Sequence, residues 1–315
     1  MAHEFDEFHD ELRSVAGDLL AKDRSVEWST LVDAGWVGLE VPNDLGGAAA
    51  TFAEVAVICE EMGRAATSTH YLGSAVLAVA TLKALQPSDI RDSLLRDVAS
   101  GAVRAAVALD PFEFVPDAQG ADRVLVIADG GVAEAPLTVT PQPVLDETRR
   151  LAKVTVGDVK ASLRFDGDPD EQVRRLRDRA AVAVACDSLG ISEAMLAATV
   201  SYAKVRHQFG RPIGSFQAVK HACADMLVKI SVARQLVEAA IESVVQGRGD
   251  PAASMAKSYA CSAAVDIAGK AMQLHGGIGY TWESGIHVYL KRAALNRSLF
   301  GSPAAHRNEL AKRYR

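Results

Sequence analysis

A chain of 315 residues, 49% apolar and 23% charged, can bury an extended core and exceeds one typical domain, so two or three compact units are expected. Its formal net charge of −6, without a run of lysine or arginine, argues against nucleic acid as a partner. No stretch reads as the roughly 20 apolar residues of a membrane span, and the acidic start MAHEFDEFHDEL lacks the apolar centre of a signal peptide, so a cytoplasmic location without membrane contact is expected.

Residues 1–105 read as a helical domain. FDEFHDELRSVAGDLL sets Phe5, Phe8, Leu12, Val15 and Leu19 at helical spacing. VPNDLGG carries turn chemistry in Pro42, Asn43, Gly46 and Gly47. AEVAVICEEMGRAA predicts a second helix ending near Gly63, and Ser88 is placed to cap a third. From 106 to 168 the period shortens into a small β domain. RVLVIADGGVAEA predicts a hairpin around Asp129, Gly130 and Gly131, LTVT and KVTVGDVKASLRF continue as strands, and DGDPD at 166–170 reads as a polar linker.

Residues 169–315 are the most regular part and predict a four-helix antiparallel bundle. One helix covers about 171–205, and the next carries a stripe of Val219, Cys223, Met226, Ile230, Val237 and Ile241. A third opens at Asp250-Pro251 and stops at Gly276-Gly277, and SGIHVYLKRAALNRSLF supplies the fourth. The first two are separated by RHQFGRPIGSFQ, where Pro212, Gly210 and Gly214 break the helix among a cluster of donors. Cys59, Cys186, Cys223 and Cys261 follow no metal-ligand spacing and read as small reduced core residues. His207, His221 and His275 also lack such spacing and read as structural or surface residues.

Three stretches, in order, resemble the acyl-CoA dehydrogenase family: GWVGLEVPNDLGG with EEMGRA, then YAKVRHQFGRPIGSFQAVKHACADM, then AMQLHGGIGYTWESGIHVYLKRA. The resemblance covers most of residues 26–300 and is weakest in the middle. It implies a mainly α fold with a small β domain, the use of FAD, and the oxidation of acyl-CoA thioesters to enoyl-CoA. In such proteins the RxQFG stretch and the QxxGG turn reach the adenine and pyrophosphate half of a neighbouring subunit's FAD. Carried over residue by residue, the implied cofactor contacts are Arg206, Gln208, Phe209, Gln217, Gln273, Gly276 and Gly277. A guanidinium suits a diphosphate because it offers a fixed fork of charged donors, and paired glycines admit close backbone approach. A helix starting after Pro212 would add free N–H groups near the anion. Read as residues alone, Arg206 is equally an exposed charge, Phe209 a packing residue, and Gln217 and Gln273 helix caps.

Two departures from the family pattern carry as much weight. The TEPxxGSD-like stretch that binds flavin and substrate has no counterpart in VALDPFEFVPDAQGADRV, and the β segment is short. Removing a proton α to a thioester needs a carboxylate base, yet Phe300 stands where a YEGT-like segment carries its glutamate. Ala180 stands where other members place the base on an earlier helix, and Asp178, Asp187 and Glu283 are poor substitutes. Glu283 reads as a cap for the following helix. No catalytic residue is therefore assigned to this chain. The pattern resembles the short subunits of heteromeric α2β2 acyl-CoA dehydrogenases of bacterial steroid catabolism, which implies a full-length homologue as partner and a bulky acyl-CoA substrate. An inactive scaffold and a self-sufficient flavoenzyme with an unrecognised base are the alternative readings.

Overall fold

The structure is a computed structural model of the chain and describes residues 2–128, 130–159, 161–248 and 251–312. Helix α1 (Ala2–Leu20) lies along α3 (Phe52–Ala65) and buries Ala16 and Leu20. Phe8 and Val15, expected inside, are 48% and 51% exposed, while Leu12 and Leu19 are half-buried. A helix packed on one neighbour needs only a narrow apolar stripe, so the outer part of the pattern stays wet. The Phe5 side chain lies outside the described residues. After α2 (Trp28–Asp33), the turn at Asn43–Leu45 closes with Gly46 at φ +87. A side chain at Gly47 would meet the Val41 carbonyl at 2.1 Å, which explains the second glycine.

Helix α3 starts in a capping box made by Thr51 and Glu54. It ends at Ala65, near Gly63 as expected, and the capping residue Ala66 turns left-handed at φ +49. Gly63 itself serves the packing. A Cβ there would lie 1.9 Å from the Asp187 carbonyl, and a Cβ at Gly190 would lie 1.9 Å from the Glu60 carbonyl. The two glycines thus let α3 cross α6 (Pro169–Val205) at backbone contact. A π-helical segment, Leu72–Ala78, leads into α4 (Val79–Lys83), and Ser88 caps α5 (Asp89–Ala99), its Oγ accepting from the Arg91 N–H at 3.3 Å.

Seven strands follow: β1 (Ala105–Ala108), β2 (Val115–Pro116), β3 (Arg123–Ala128), β4 (Gly131–Glu134), β5 (Leu137–Gln142), β6 (Leu151–Val156) and β7 (Ala161–Arg164). They form two sheets, ordered β1-β3-β4-β7 and β2-β6-β5. The expected hairpin is present, with Ala128 opposite Gly131 and Gly130 at φ +79 in the turn; Asp129 lies outside the described residues. The first sheet is covered on both faces. Val107, Leu125 and Val132 face the helical core, while Ala106, Ala108, Val126 and Ala133 meet Val115, Ala152 and Val154 in a second, smaller core. That double burial is why AAVAL and RVLVI read as continuous apolar runs rather than as alternation.

The DGDPD stretch does more than link. Asp168 caps α6, its carboxylate accepting from the Asp170 N–H at 3.1 Å, with Pro169 as the first helical residue. Contrary to expectation, α6 is long and apolar enough to cross a membrane, with an 18-residue window of mean hydropathy 1.5. Of that window 78% is buried against neighbouring elements, which makes α6 the central helix of the bundle. Helix α7 (Gln217–Val245) buries Met226, Ile230 and Val237 of its stripe and half-buries Val219, Cys223 and Ile241. Helix α8 (Ala252–His275) begins just after Pro251, Asp250 being outside the described residues. Its buried Ala256, Ala260, Ala264, Ala268 and Ala271 leave room for close approach to the alanine-rich centre of α6. Helix α9 (Ile286–Ser298) completes the expected four, and α10 (Pro303–Lys312), which was not anticipated, packs on α8. Cys59, Cys186 and Cys261 are buried free thiols, and burial pushes the Cys59 thiol up to about 12.

Candidate functional site

The broken stretch after α6 folds as a small projecting arm. Strands β8 (His207–Gln208) and β9 (Arg211–Pro212) pair around Phe209 and Gly210, both left-handed at φ +51 and +75. Phe209 is 92% exposed and sets its ring edge against Phe216 at 6.2 Å, while the Arg211 guanidinium lies over the Phe216 ring at 4.1 Å. Gln208 is exposed and donates to the His207 carbonyl at 2.9 Å. Arg206 caps the end of α6 through its backbone, and its exposed guanidinium has no acidic partner among the described residues. The next helix does not begin directly after Pro212, because a 3-10 turn at Ile213–Ser215 intervenes. Gln217, exposed, is the first residue of α7, which lacks a side-chain cap. An uncapped helix start presents free N–H groups and the positive end of the helix dipole.

The second motif arrives from α8. Gln273 is exposed, and its Oε1 accepts from Lys270 Nζ at 2.7 Å. Gly276 has φ +62 and ψ −142, a conformation essentially reserved for glycine. At both Gly276 and Gly277 a Cβ would meet nothing within 4 Å, so the turn presents open backbone. Tyr202, one turn before Arg206, stacks on His275 with centroids 4.4 Å apart. His275 is buried, and its Nδ1 lies 2.7 Å from the Ala271 carbonyl. The reading of His275 as structural thus acquires a specific content: it joins the ends of α6 and α8.

Around Asp187, beneath the loop that joins β5 to β6, the interior is tightly filled. The loop 143–150 lays Asp146, Thr148 and Arg149 over α6 and α9. Arg292 gives a bidentate pair to Asp187, at 3.0 and 2.5 Å, and donates to Thr148 Oγ1 and the Thr67 carbonyl, each at 2.8 Å. Arg149 adds a contact to Asp187 at 3.0 Å and Asn296 another at 2.6 Å. Burial pushes the Asp187 carboxyl upward, but the Arg292 and Arg149 charges outweigh it and hold the group below the usual carboxylate range. What remains is a cavity of about 20 Å³ lined by Thr67, Tyr71, Arg149 and Asp187 among others, room for a water molecule. Pockets for organic ligands run to about 300–1,000 Å³.

The residues weighed as bases fare as follows. Asp187 is locked in its ion-pair network and cannot accept a proton without breaking it. Asp178 is half-buried on α6, and Ala180 is wholly buried in the core. Glu283 is exposed and does not cap α9; the cap position is Gly285, left-handed at φ +65, and the Ile286 N–H donates to the Ser284 hydroxyl just before it at 3.4 Å. Phe300, left-handed at φ +54, packs on the core. Its segment is pinned by Lys257, wholly buried, which donates to the carbonyls of Asn296, Arg297 and Gly301 at 2.9, 3.3 and 2.9 Å. The importance of Asp187 had one signal in the sequence, a carboxylate inside the apolar run AAVAVACDSLG. Its partners Arg149 and Arg292 lie too far along the chain to be paired from spacing.

Comparisons with known proteins identify the family and the fold. Residues 3–102 match the family model described as acyl-CoA dehydrogenase, N-terminal domain, and residues 174–314 match acyl-CoA dehydrogenase, C-terminal domain. The chain is similar to acyl-CoA dehydrogenase IpdE2 of Mycolicibacterium smegmatis, at 37% identity over 279 residues, covering 88% of this chain and 84% of that protein. Among solved structures, a variant of the Tcur3481-Tcur3483 steroid ACAD superposes with a TM-score of 0.84 at 25% identity, covering 98% and 97% of the two chains. The ChsE4-ChsE5 complex from Mycobacterium tuberculosis superposes with a TM-score of 0.86 at 22% identity, covering 96% of this chain and 96% of that one.

Proposed function

The chain belongs to the acyl-CoA dehydrogenase family, and we propose that it is the short subunit of a heteromeric member, lending one half of an FAD site to a full-length partner. The observation that carries this reading is the contrast between an open arm and a closed interior. Arg206, the uncapped start of α7 and the Gly276-Gly277 turn face solvent together, whereas the space beside the β sheets is filled by Asp187, Arg149 and Arg292. Donors of this type and open backbone fit the pyrophosphate and adenine half of a dinucleotide. A 20 Å³ cavity does not fit the flavin ring.

When bound, FAD supplies the hydride acceptor for desaturation of an acyl-CoA thioester. Arg206 holds the diphosphate by charge-assisted hydrogen bonds, with Gln208, Gln217 and Gln273 as neighbouring polar contacts and Phe209 packing alongside. Gly276 and Gly277 admit the cofactor to backbone distance. The partner supplies the flavin pocket and the carboxylate base, since Asp187 is locked in its ion pairs, Glu283 is exposed, and Asp178 is half-buried on α6, two positions from Ala180. The similarity to the two-protein Tcur3481-Tcur3483 steroid ACAD supports a bulky, steroid-derived acyl-CoA and a hetero-oligomer, which on this reading is a cytoplasmic α2β2 assembly. On this reading residues 1–105, 106–168 and 169–315 are a helical domain, a reduced β domain and the bundle that carries the arm.

The test is co-expression with candidate full-length homologues, followed by the flavin absorbance spectrum of the purified complex. A well-behaved homo-oligomer of this chain carrying stoichiometric FAD and desaturating acyl-CoA would overturn the proposal.

A further inference from the structure

A second feature lies away from the arm. A groove of about 360 Å³ opens between the Arg24-Ser25 segment, Ser68, the loop 143–150 and the first turns of α9. Three cations line it: Arg24, Arg150 and Lys291. Arg24 lies over the Tyr289 ring at 5.7 Å, and Arg150 Nη1 is 3.2 Å from His70 Nε2. Neither has a carboxylate at ion-pair distance among the described residues. Lys291 lies over the Trp282 ring at 5.2 Å and has a loose contact at 4.0 Å with Glu147, whose side chain is 77% exposed.

The lining of the groove is mostly polar, with Asp146 and Thr148 buried at its base. Asp146 is 1% exposed, and its Oδ1 accepts from the Thr148 N–H at 3.0 Å and the Thr148 hydroxyl at 2.7 Å. Its Oδ2 is buried without a partner, as are both ring nitrogens of His287, a further lining residue. Buried polar atoms are nearly always paired, so an orphaned set in one groove points to a ligand. The cations call for an anion. The orphaned carboxylate oxygen calls for a hydrogen-bond donor on that same anion.

We propose that this groove binds a protonated phosphate, either hydrogenphosphate or a phosphate monoester. Its anionic oxygens face Arg24, Arg150 and Lys291, and its P–OH donates to Asp146 Oδ2. Sulfate, which carries no proton at neutral pH, would set an oxygen lone pair against that carboxylate and be rejected. Two sources offer the required chemistry: free orthophosphate and the 3′-phosphate of coenzyme A. The inference is independent of the FAD arm, which lies on other elements.

The experiment is calorimetric titration of the full chain in its purified assembly with orthophosphate and with sulfate at matched ionic strength. Orthophosphate is expected to bind at least about tenfold more tightly than sulfate, and Arg150→Ala with Lys291→Ala to weaken it at least about tenfold. Asp146→Asn, which keeps Oδ1 for Thr148, should bring the two anions to within about threefold of each other. Coenzyme A binding more tightly than dephospho-coenzyme A, with the difference lost in the double variant, assigns the monoester as source. Equal binding of those two, with the orthophosphate pattern intact, assigns free phosphate, and either result supports the site. Equal affinity for phosphate and sulfate in the unmutated protein, or phosphate affinity untouched by the double variant, overturns it.

Discussion

Tyr202 and His275 stack with centroids 4.4 Å apart and planes 21° from parallel, and this contact ties the end of α6 to the end of α8. The arm and the glycine turn are separated by more than sixty residues of sequence, yet they open from the two helix ends that this stack joins. Aromatic pairs of this kind contribute about 0.5–1.5 kcal/mol beyond area burial. Tyr202→Ala is therefore expected to weaken FAD retention by the assembled complex about threefold to tenfold, by the same magnitude. Tyr202→Phe, which keeps the ring, should retain the cofactor as well as the unmutated complex does. Dialysis followed by flavin absorbance reads both.

Arg206→Ala removes the charged donor itself. A hydrogen bond to a charged group is worth roughly 1.5–3 kcal/mol, so the variant complex should lose about tenfold to a hundredfold in FAD affinity while still assembling. Size-exclusion chromatography checks assembly, and fluorescence titration of FAD checks affinity. Unchanged affinity would remove Arg206 from the site.

Expressed alone, the chain should be colourless and prone to associate. The cavity of about 20 Å³ beside Asp187 is too small for the flavin ring, and Phe209, Tyr280 and Trp282 are 92%, 72% and 72% exposed, surface suited to a partner. The flavin spectrum and elution volume of the isolated chain measure this directly.

The carboxylates separate stability from chemistry. Asp187→Ala leaves Arg292 and Arg149 buried without their counter-ion, and breaking a buried pair costs about 3–5 kcal/mol. The denaturant midpoint of the assembled complex should fall sharply. Rapid-mixing measurement of flavin reduction on the folded, flavin-loaded fraction should change by less than about tenfold, as it should for alanine at Asp178 and Glu283, whereas loss of a true base costs about 10²–10⁴-fold. A drop beyond about a hundredfold with flavin retained would place the base on this chain.

Asp187 also sets a pH dependence. Its carboxyl in the folded protein lies below the ordinary value, so the unfolded chain takes up the proton first as pH falls. The stabilisation is fully present above the unfolded value of about 4 and is lost as pH drops through the folded value. Denaturation midpoints recorded between neutral and acid pH should fall less steeply for Asp187→Asn than for the unmutated protein, because the variant has no proton to take up there.

The sequence by itself determined the order of helices, strands and helices, because period, caps and turn residues are local properties. Ser88 caps α5, a turn with Gly130 at φ +79 closes β3 on β4, and the stripe of α7 faces inward, each from residues within one or two turns of each other. The helix break at Gly210 to Gly214 and the stop at Gly276-Gly277 were legible for the same reason, while their role toward a cofactor came only from the family resemblance. Only the tertiary structure decided what depends on distant pairs. Gly63 marked the helix end nearby, but its close approach to Asp187 of α6 lies outside the local pattern, and the exposure of Phe8 and Val15 depends on α1 having a single neighbour. Asp187 itself was a candidate base in the sequence and became the anchor of Arg149 and Arg292 in the fold. A charge buried in a low-dielectric core is defined by its partners, and these partners come together only when the loop 143–150 and α9 close over α6.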